Sequence, residues 1–276
     1  MYMEGAGSGG VVESSVLAAG STAVTAWLPY RRPGGRPEIR LLCFPHAGGA
    51  ASAFRSWGKH LSPEIEVCAV QLPGRETRLQ EEPHREMAPL LDALTRDLAP
   101  LFDEPFALFG HSLGGLIAFE LARRLAGERR VLPARLFVSA FRAPHLPNRL
   151  GPFAHLPDDA FAPAMRDLGT TPDEVFDSPE LLEIVLPILR ADFTLAERYA
   201  FDDDTPLDCD ISVLGGTEDA LVLPEELMAW SRHTRRRCAT CLFPGGHFYV
   251  DSARVSVLQT IRPALTSGAA KRFGAP

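Results

Sequence analysis

The sequence predicts an α/β fold with a mostly parallel central sheet, flanking helices and a helical lid inserted near the middle of the chain. Short apolar runs alternate with helical patterns along most of the sequence, which is typical of a doubly wound sheet. The runs are nearly continuous, as expected for strands that helices cover on both faces. Residues 141–206 break this rhythm, since they contain helix candidates at 157–169 and 178–200 and no strand candidate.

The first half of the chain supplies three strand candidates and two helix candidates. The run IRLLCF at 39–44 precedes a helical stretch at 52–61, and the run IEVCAVQL at 65–72 is halted by the turn sequence PGRE. Residues 85–101 carry apolar side chains at three- and four-residue spacing, which predicts an amphipathic helix. The third strand candidate is FALFG at 106–110.

The remaining elements continue the alternation. Residues 113–125 predict the helix after the third strand, and RLFVSA at 135–140 predicts the fourth strand. After the lid, ISVLGG at 211–216 and CATCLFPG at 238–245 predict two more strands, with a helix at 224–234 between them. We expect the lid to cover the carboxyl edge of the sheet, where ligands bind in open α/β folds.

The composition is that of a globular protein and argues against nucleic-acid binding. The 276 residues are 46% hydrophobic and 23% charged, and the net charge is −7, whereas phosphate binding requires a basic surface. Basic residues do cluster at 31–36, 123–130 and 232–237. Two interpretations stay open, namely solvated helix faces and turns, or a docking patch for an acidic partner.

The cysteine pattern predicts reduced thiols and no metal site. Four of the five cysteines lie in strand candidates, where they are expected to pack as small apolar side chains. Cys238 and Cys241 have CxxC spacing, but residues three apart on a strand point to opposite faces. A redox pair or a zinc site is therefore not expected there.

One domain is predicted between two loose ends. Residues 1–25 are rich in Gly, Ala and Ser and predict a disordered leader, residues 26–265 form the domain with its lid, and residues 266–276 predict a flexible tail. The leader lacks the basic residues and apolar core of a secretory signal, and no run is long enough to span a bilayer. We therefore expect a cytoplasmic monomer that does not associate with membranes.

The strongest indication of catalysis is the motif GHSLG at 110–114, which matches the nucleophile motif G-x-S-x-G. A nucleophile on a sharp strand-to-helix turn needs neighbours without side chains, and its oxygen then lies at a helix N-terminus that favours negative charge. Chance gives about 0.1 matches in a chain of this composition, so the motif requires a preceding strand and a following helix. Both are predicted here, and Ser112 is the candidate nucleophile.

A serine nucleophile needs a base, and the base needs an orienting acid, in the chain order Ser, then Asp or Glu, then His. His247 follows the last predicted strand through the flexible sequence FPGGH, so it is the candidate base. Glu218 and Asp219 both follow the fifth strand, and Asp219 is the preferred acid.

Other histidines and aspartates are interpreted as surface residues. His233 lies in the middle of a predicted helix beside two arginines, which favours an exposed position. Asp192 and the run 202–204 lie in or beside the lid and are expected to be charged, solvated surface.

The tetrahedral intermediate of acyl transfer also needs two backbone N–H donors for its oxyanion. One is the amide of Leu113, directly after the nucleophile. The other is expected in the loop FPHAGG after the first strand, where Ala47 is the candidate donor and His46 is expected to shape the loop.

Five segments in order resemble the type II thioesterases, the free-standing editing hydrolases of modular polyketide and nonribosomal peptide synthases. They span about residues 38–262 and read LLCFPHAGGAASAFRSW, VQLPGRETR, LFGHSLGGLIAFELARRL, LPILRADFTLAERY and GGTEDALV with GGHFYV. The resemblance implies the α/β-hydrolase fold. It also implies Ser112 as nucleophile, Asp219 as acid and His247 as base, with the amides of Ala47 and Leu113 as the oxyanion hole.

The resemblance further implies the substrate, an acyl thioester on the phosphopantetheine arm of an acyl carrier protein. Removal of aberrant or stalled acyl groups through an acyl-serine would restore the synthase, with no metal or organic cofactor. One departure is Ala220, where many relatives have proline after the acid, but the carboxylate is retained.

Five residues are candidates for substrate binding. The lid side chains either line an acyl chamber or pack the lid itself. The candidates are His46, Phe161, Leu186, Leu189 and Phe193.

Alternatives remain open because ester and thioester hydrolysis need the same catalytic parts. The chain could be a general carboxylesterase, an acyl-CoA thioesterase or an acyltransferase. From a different class, it could be a non-catalytic partner of carrier proteins that kept the fold.

Overall fold

The computed structural model describes residues 23–32, 35–169 and 171–267. The predicted leader lies outside the described residues except for its last three positions, and the predicted tail except for its first two.

The centre of the molecule is a six-stranded sheet with strand order β2-β1-β3-β4-β5-β6. The strands are β1 Ile39–Phe44, β2 Ile65–Ala69, β3 Phe106–His111, β4 Arg135–Ser139, β5 Asp210–Gly216 and β6 Cys238–Phe243. Every pair of neighbours is parallel in the described part of the chain. The six predicted strands and their parallel arrangement are therefore confirmed.

Helices connect the strands and form the lid. They are α1 (described part, 23–27), α2 Gly58–Leu61, α3 Met87–Asp97, α4 Leu113–Glu128, α5 Asp158–Asp167, α6 Asp173–Asp177, α7 Pro179–Arg198, α8 Pro224–Met228, α9 Tyr249–Ser252 and α10 Arg254–Thr266. Helices α5, α6 and α7 lie in the predicted lid segment.

Two predicted helices are only partly α-helical. The stretch predicted at 52–61 is a 3₁₀ turn at Ala51–Phe54 followed by α2, and the stretch at 224–234 is α8 followed by a 3₁₀ turn at Ala229–His233. In the first of these, buried Ala51, Phe54 and Trp57 recur every three residues, which suits the three-residue period of a 3₁₀ helix.

Two apolar clusters lie on the two faces of the sheet, which explains the continuous apolar runs. Leu42 and Phe44 pack in one cluster, whereas Leu41 and Cys43 pack in the other. The CxxC cysteines divide in the same way, since Cys238 packs against the first cluster and Cys241 against the second. The prediction that Cys238 and Cys241 point to opposite faces is therefore confirmed. All five cysteines are free thiols in the structure.

The lid has an apolar cluster of its own between α5 and α7. Phe161 and Met165 of α5 pack with Leu186 and Leu189 of α7, and each is at most 7% exposed. Further along α7, Leu195 joins the cluster on the sheet. Helix α7 thus connects the lid to the body of the molecule.

The basic clusters are largely ion-paired with nearby carboxylates. Arg124 and Arg129 bind Asp92 and Asp103, at 2.5 Å and 3.2 Å. In the third cluster, Arg236 lies 2.6 Å from Asp208. This pairing favours the interpretation of these clusters as solvated, locally neutralised surface.

Candidate active site

Ser112 stands at the turn between β3 and α4 in an unusual backbone conformation. Its φ of 52° and ψ of −123° lie outside the helical and extended regions, as in a strained nucleophile turn. Its amide donates to the carbonyl of Ser139 at 2.8 Å, and its carbonyl accepts from the amide of Gly115 at 2.8 Å. The neighbouring strand and the first turn of α4 therefore hold the strained residue.

The glycines of the motif allow backbones to approach closely. A Cβ at Gly110 would overlap the carbonyl oxygen of Gly114, and a Cβ at Gly114 would overlap the carbonyl oxygen of Phe44. Helix α4 therefore begins directly against β1 and β3, which sets Ser112 at the carboxyl edge of the sheet.

His247 and Asp219 form a buried pair at the same edge. His247 Nδ1 lies 2.9 Å from Asp219 Oδ2, and the side chains are 9% and 1% exposed. Asp219 Oδ1 accepts from the amides of Leu221 and Val222 at 2.8 Å and 3.2 Å, which fixes the carboxylate. The other acid candidate, Glu218, is exposed. A proton on Nδ1 bonded to the carboxylate leaves His247 Nε2 free to accept one.

Ser112, His247, Ala47 and Leu113 line one cavity. In the loop after β1, the amide of Gly48 donates to Asp192 Oδ2 at 2.7 Å and the amide of Gly49 donates to the carbonyl of His46 at 2.9 Å. Two of the loop amides thus have partners within the protein, and Ala47 lines the cavity.

Two further histidines surround Phe248 together with His247. The ring centroids of His46, His111 and His247 lie 4.9, 5.6 and 5.3 Å from that of Phe248. Burial, with the nearby charge of His247, lowers the pKa of His46 to about 4 and holds the pKa of His111 well below its ordinary value. Both rings are therefore neutral at neutral pH.

The cavity measures about 110 Å³ and is apolar with a few charged groups. Phe193 of α7 lines it with Phe153, whereas Phe161, Leu186 and Leu189 lie in the lid cluster and are not among its lining residues. The Arg, Asp and Glu residues in its wall are Arg142, Arg149, Asp192, Glu197 and Glu226. Arg149 and Glu226 pair with each other at 2.7 Å.

The interpretation of Asp192 and His233 as surface residues is wrong. Asp192 is 2% exposed and pairs with Arg75, which lies 117 residues away in the chain. His233 is 2% exposed because the 3₁₀ turn directs its ring inward, where its Nε2 lies 2.7 Å from His145 Nδ1. Neither partner could be identified from sequence spacing. The aspartates at 202–204 are exposed, as predicted.

Comparison with known proteins decides the family. Residues 39–265 match the thioesterase domain family. The gramicidin S biosynthesis protein GrsT of Aneurinibacillus migulanus is 38% identical over 236 residues, which cover 86% of this chain and 92% of GrsT. The chain belongs to the thioesterase family.

Two solved structures sharpen the place of this thioesterase within the family. The type II thioesterase BorB from the borrelidin biosynthetic cluster is 37% identical, with a TM-score of 0.76 over 86% of this chain and 96% of BorB. ClbQ from the colibactin NRPS/PKS pathway is 33% identical, with a TM-score of 0.79 over 83% of this chain and 98% of ClbQ. The resemblance to type II thioesterases and the α/β-hydrolase fold are thereby confirmed.

In the described ranges, no group of three or more His, Cys, Asp or Glu side chains is arranged to hold a metal ion. No helix among the described residues is long and apolar enough to cross a membrane.

Proposed function

We propose that this thioesterase removes acyl groups from the phosphopantetheine arms of acyl carrier proteins in a polyketide or nonribosomal peptide synthase. The relatives support this role, since ClbQ comes from the colibactin NRPS/PKS pathway. GrsT and BorB are named for gramicidin S biosynthesis and the borrelidin biosynthetic cluster. The observation that carries the chemistry is that His247, which is bonded to Asp219, lines one cavity together with Ser112.

In the proposed acylation step, His247 Nε2 accepts the proton of Ser112 while Oγ attacks the thioester carbonyl carbon. The carbonyl oxygen becomes an oxyanion that the amides of Ala47 and Leu113 stabilise. When the C–S bond breaks, His247 returns the proton to the leaving thiolate. An acyl-serine and a free phosphopantetheine thiol remain.

In the proposed deacylation step, His247 takes a proton from water, and the resulting hydroxide attacks the acyl-serine. A second oxyanion forms and collapses, so that the free acid leaves and the proton returns to Ser112. Asp219 keeps the imidazole in the orientation and tautomer that both steps require. Its two backbone N–H partners hold it in place through the cycle.

The proposed substrate is tested by comparing the hydrolysis of the same acyl groups on a carrier protein and on a small thiol. Acyl groups from acetyl to long unbranched chains are each presented on a phosphopantetheinylated carrier protein and on a small thiol, with the same acyl groups as oxygen esters for comparison. We expect carrier-bound thioesters to be hydrolysed with the highest kcat/KM.

Ser112→Ala is the matched control for this panel, since it removes the nucleophile and leaves the surface unchanged. Equal kcat/KM values on carrier thioesters and simple esters would refute an editing role. Hydrolysis retained in Ser112→Ala would refute the proposed nucleophile.

A further inference from the structure

Arg75 and Asp192 form a buried ion pair beside the active-site cavity. Arg75 Nη1 lies 2.7 Å from Asp192 Oδ2 and Nη2 lies 2.8 Å from Oδ1, so the contact is bidentate. The side chains are 4% and 3% exposed. Asp192 lies on α7 of the lid and lines the cavity, whereas Arg75 follows β2 on the body of the molecule.

Both members of the pair hold the loop that carries Ala47. Asp192 Oδ2 accepts from the amide of Gly48 at 2.7 Å, and Arg75 Nη1 donates to the carbonyl of Gly49 at 3.1 Å. The pair therefore binds the backbone of the two residues that directly follow Ala47, the candidate oxyanion donor.

A buried glutamine fixes the arginine and the end of the same loop. Gln71 Nε2 donates to the carbonyl of Arg75 at 2.9 Å, and Gln71 Oε1 accepts from the amide of Ala51 at 3.1 Å. Arg75 Nε also donates to the carbonyl of Pro73 at 3.3 Å. The loop is thus tied to the chain segment 71–75 at two points and to the lid helix at a third.

The conformation of the loop makes this support necessary. Gly48 has a φ of +74°, and Leu189 of α7 packs directly over it, so that a side chain there would overlap Leu189 Cδ2. A loop with a left-handed residue needs its polar groups bound to keep one geometry, and Asp192 supplies the acceptor for that residue's amide.

We propose that Asp192 and Arg75 are positioning residues that hold the Ala47 amide in place for the oxyanion and couple it to lid helix α7. The proposal rests on the proposed function of Ala47 and Ser112. Displacing an oxyanion donor by a fraction of an ångström weakens transition-state binding far more than substrate binding. Asp192 is the only charged lid residue that the described contacts connect to a loop amide of residues 46–49.

The variants Asp192→Asn and Arg75→Lys test this role in the full chain. In Asp192→Asn the side chain keeps its shape, but one carboxylate oxygen that accepts from Arg75 or Gly48 becomes an NH₂ group. In Arg75→Lys the charge is kept, but a single ammonium group cannot bind both Asp192 oxygens and the Gly49 carbonyl. We expect kcat on a small acyl thioester to fall by about 10²-fold, with KM changed by less than about threefold.

A second readout separates positioning from mere stability. A trifluoromethyl ketone analogue of the thioester forms a tetrahedral serine adduct with an oxyanion, whereas an amide analogue binds without one. We expect the trifluoromethyl ketone to lose affinity in proportion to kcat/KM and the amide to keep its affinity. In the double variant Arg75→Gln with Asp192→Asn no buried charge is unpaired, so Tm should recover towards wild type while kcat stays low.

Asp210→Asn is the matched control. Asp210 pairs with Arg135 at 2.7 Å and also accepts from a backbone amide, that of Arg237 at 3.3 Å, but lies at the opposite edge of the sheet. It should lower Tm without changing kcat.

Two results would overturn the positioning role, namely wild-type kcat in Asp192→Asn, or an equal loss of affinity for the trifluoromethyl ketone and the amide. Failure of wild type itself to hydrolyse the thioester would instead overturn the proposed function.

Discussion

At the scale of single residues, Ser112 and the glycines of the proposed nucleophile turn meet different steric requirements. Ser112 itself carries the positive φ, whereas Gly110 and Gly114 are required because strand and helix backbones pass where their Cβ atoms would be. The motif G-x-S-x-G is in this sense a packing requirement with a nucleophile at its centre.

A single added methyl group tests this account of the glycines. Gly114→Ala should lower the free energy of unfolding by at least about 3 kcal/mol, because the new Cβ overlaps backbone that cannot move aside. Gly127→Ala in the same helix is the control, since no atom lies within 4 Å of its Cβ position, and it should stabilise by roughly 0.5–1 kcal/mol. Urea denaturation of both variants measures the difference, and equal values would contradict the packing argument.

The two adjacent acid candidates make a second matched pair. Asp219→Asn should lower kcat by about 10³-fold because the amide holds His247 in the wrong tautomer, while exposed Glu218→Gln should leave kcat unchanged. Steady-state hydrolysis of a small acyl thioester measures both. Similar losses in the two variants would remove Asp219 from the proposed triad.

The neutral state of His46 predicts a pH dependence of stability. Its pKa is about 4 in the folded protein, against an ordinary value of 6.5, so below pH 6.5 the unfolded chain binds a proton that the folded chain does not. Stability that His46 supports above pH 6.5 is therefore lost as the pH falls from 6.5 towards 4. His46→Gln should flatten the Tm profile in this window, whereas the exposed His155→Gln should not. Identical profiles for His46→Gln and wild type would contradict this assignment.

At the scale of elements, α7 serves three purposes along its length. Leu186 and Leu189 pack the lid, Asp192 reaches the loop after β1, and Phe193 lines the cavity. A helix with a mixed apolar and charged sequence can do this because successive residues face different neighbours.

Two phenylalanines of the lid should therefore respond differently to truncation. Phe193→Ala enlarges the cavity and should shift the preferred acyl group towards longer chains. Its Tm should fall less than that of Phe161→Ala, because Phe193 is only partly buried at the margin of the lid cluster. Phe161→Ala empties the lid cluster and should lower stability by about 3–5 kcal/mol without lengthening the preferred chain. Acyl-panel kinetics and thermal melts distinguish them, and an unchanged chain-length profile in Phe193→Ala would contradict its place in acyl binding.

The sheet and most of the large helices were predictable because their apolar periodicity is local. Each of the strands β1 to β6 begins within two residues of its predicted first residue. Helices α4 and α7 span most of the residues predicted for them. The split of residues 52–61 into a 3₁₀ turn and α2 was not predicted, since a spacing of three is compatible with either helix.

The burial of Asp192 and His233 could not be predicted for a different reason. A charged residue in a lid is normally solvated, and only the tertiary partner, Arg75, makes burial favourable. Because Arg75 and Asp192 are 117 positions apart, the local sequence around either residue does not indicate the pairing. The motifs PGRE and RADF, which contain Arg75 and Asp192, both lie in segments of the family resemblance that have no assigned catalytic residue.

At the scale of the whole molecule, the parallel sheet collects the active site at one edge. Ser112 follows β3, His247 follows β6 and Ala47 follows β1, and all three line one cavity. Asp219 follows β5 and reaches the same site through its bond to His247. The lid closes the same edge through Phe193 and Asp192. The proposed mechanism requires the acyl group to pass through a covalent bond to Ser112.

Intact-protein mass spectrometry after rapid acid quenching tests that claim most directly. Wild-type protein is mixed with excess acyl-carrier thioester, quenched before turnover is complete, and digested to locate the added mass. We predict an increase equal to one acyl group on the peptide that contains Ser112, and neither adduct nor hydrolysis in Ser112→Ala. An acyl group on another residue, or full hydrolysis by Ser112→Ala, would contradict the account.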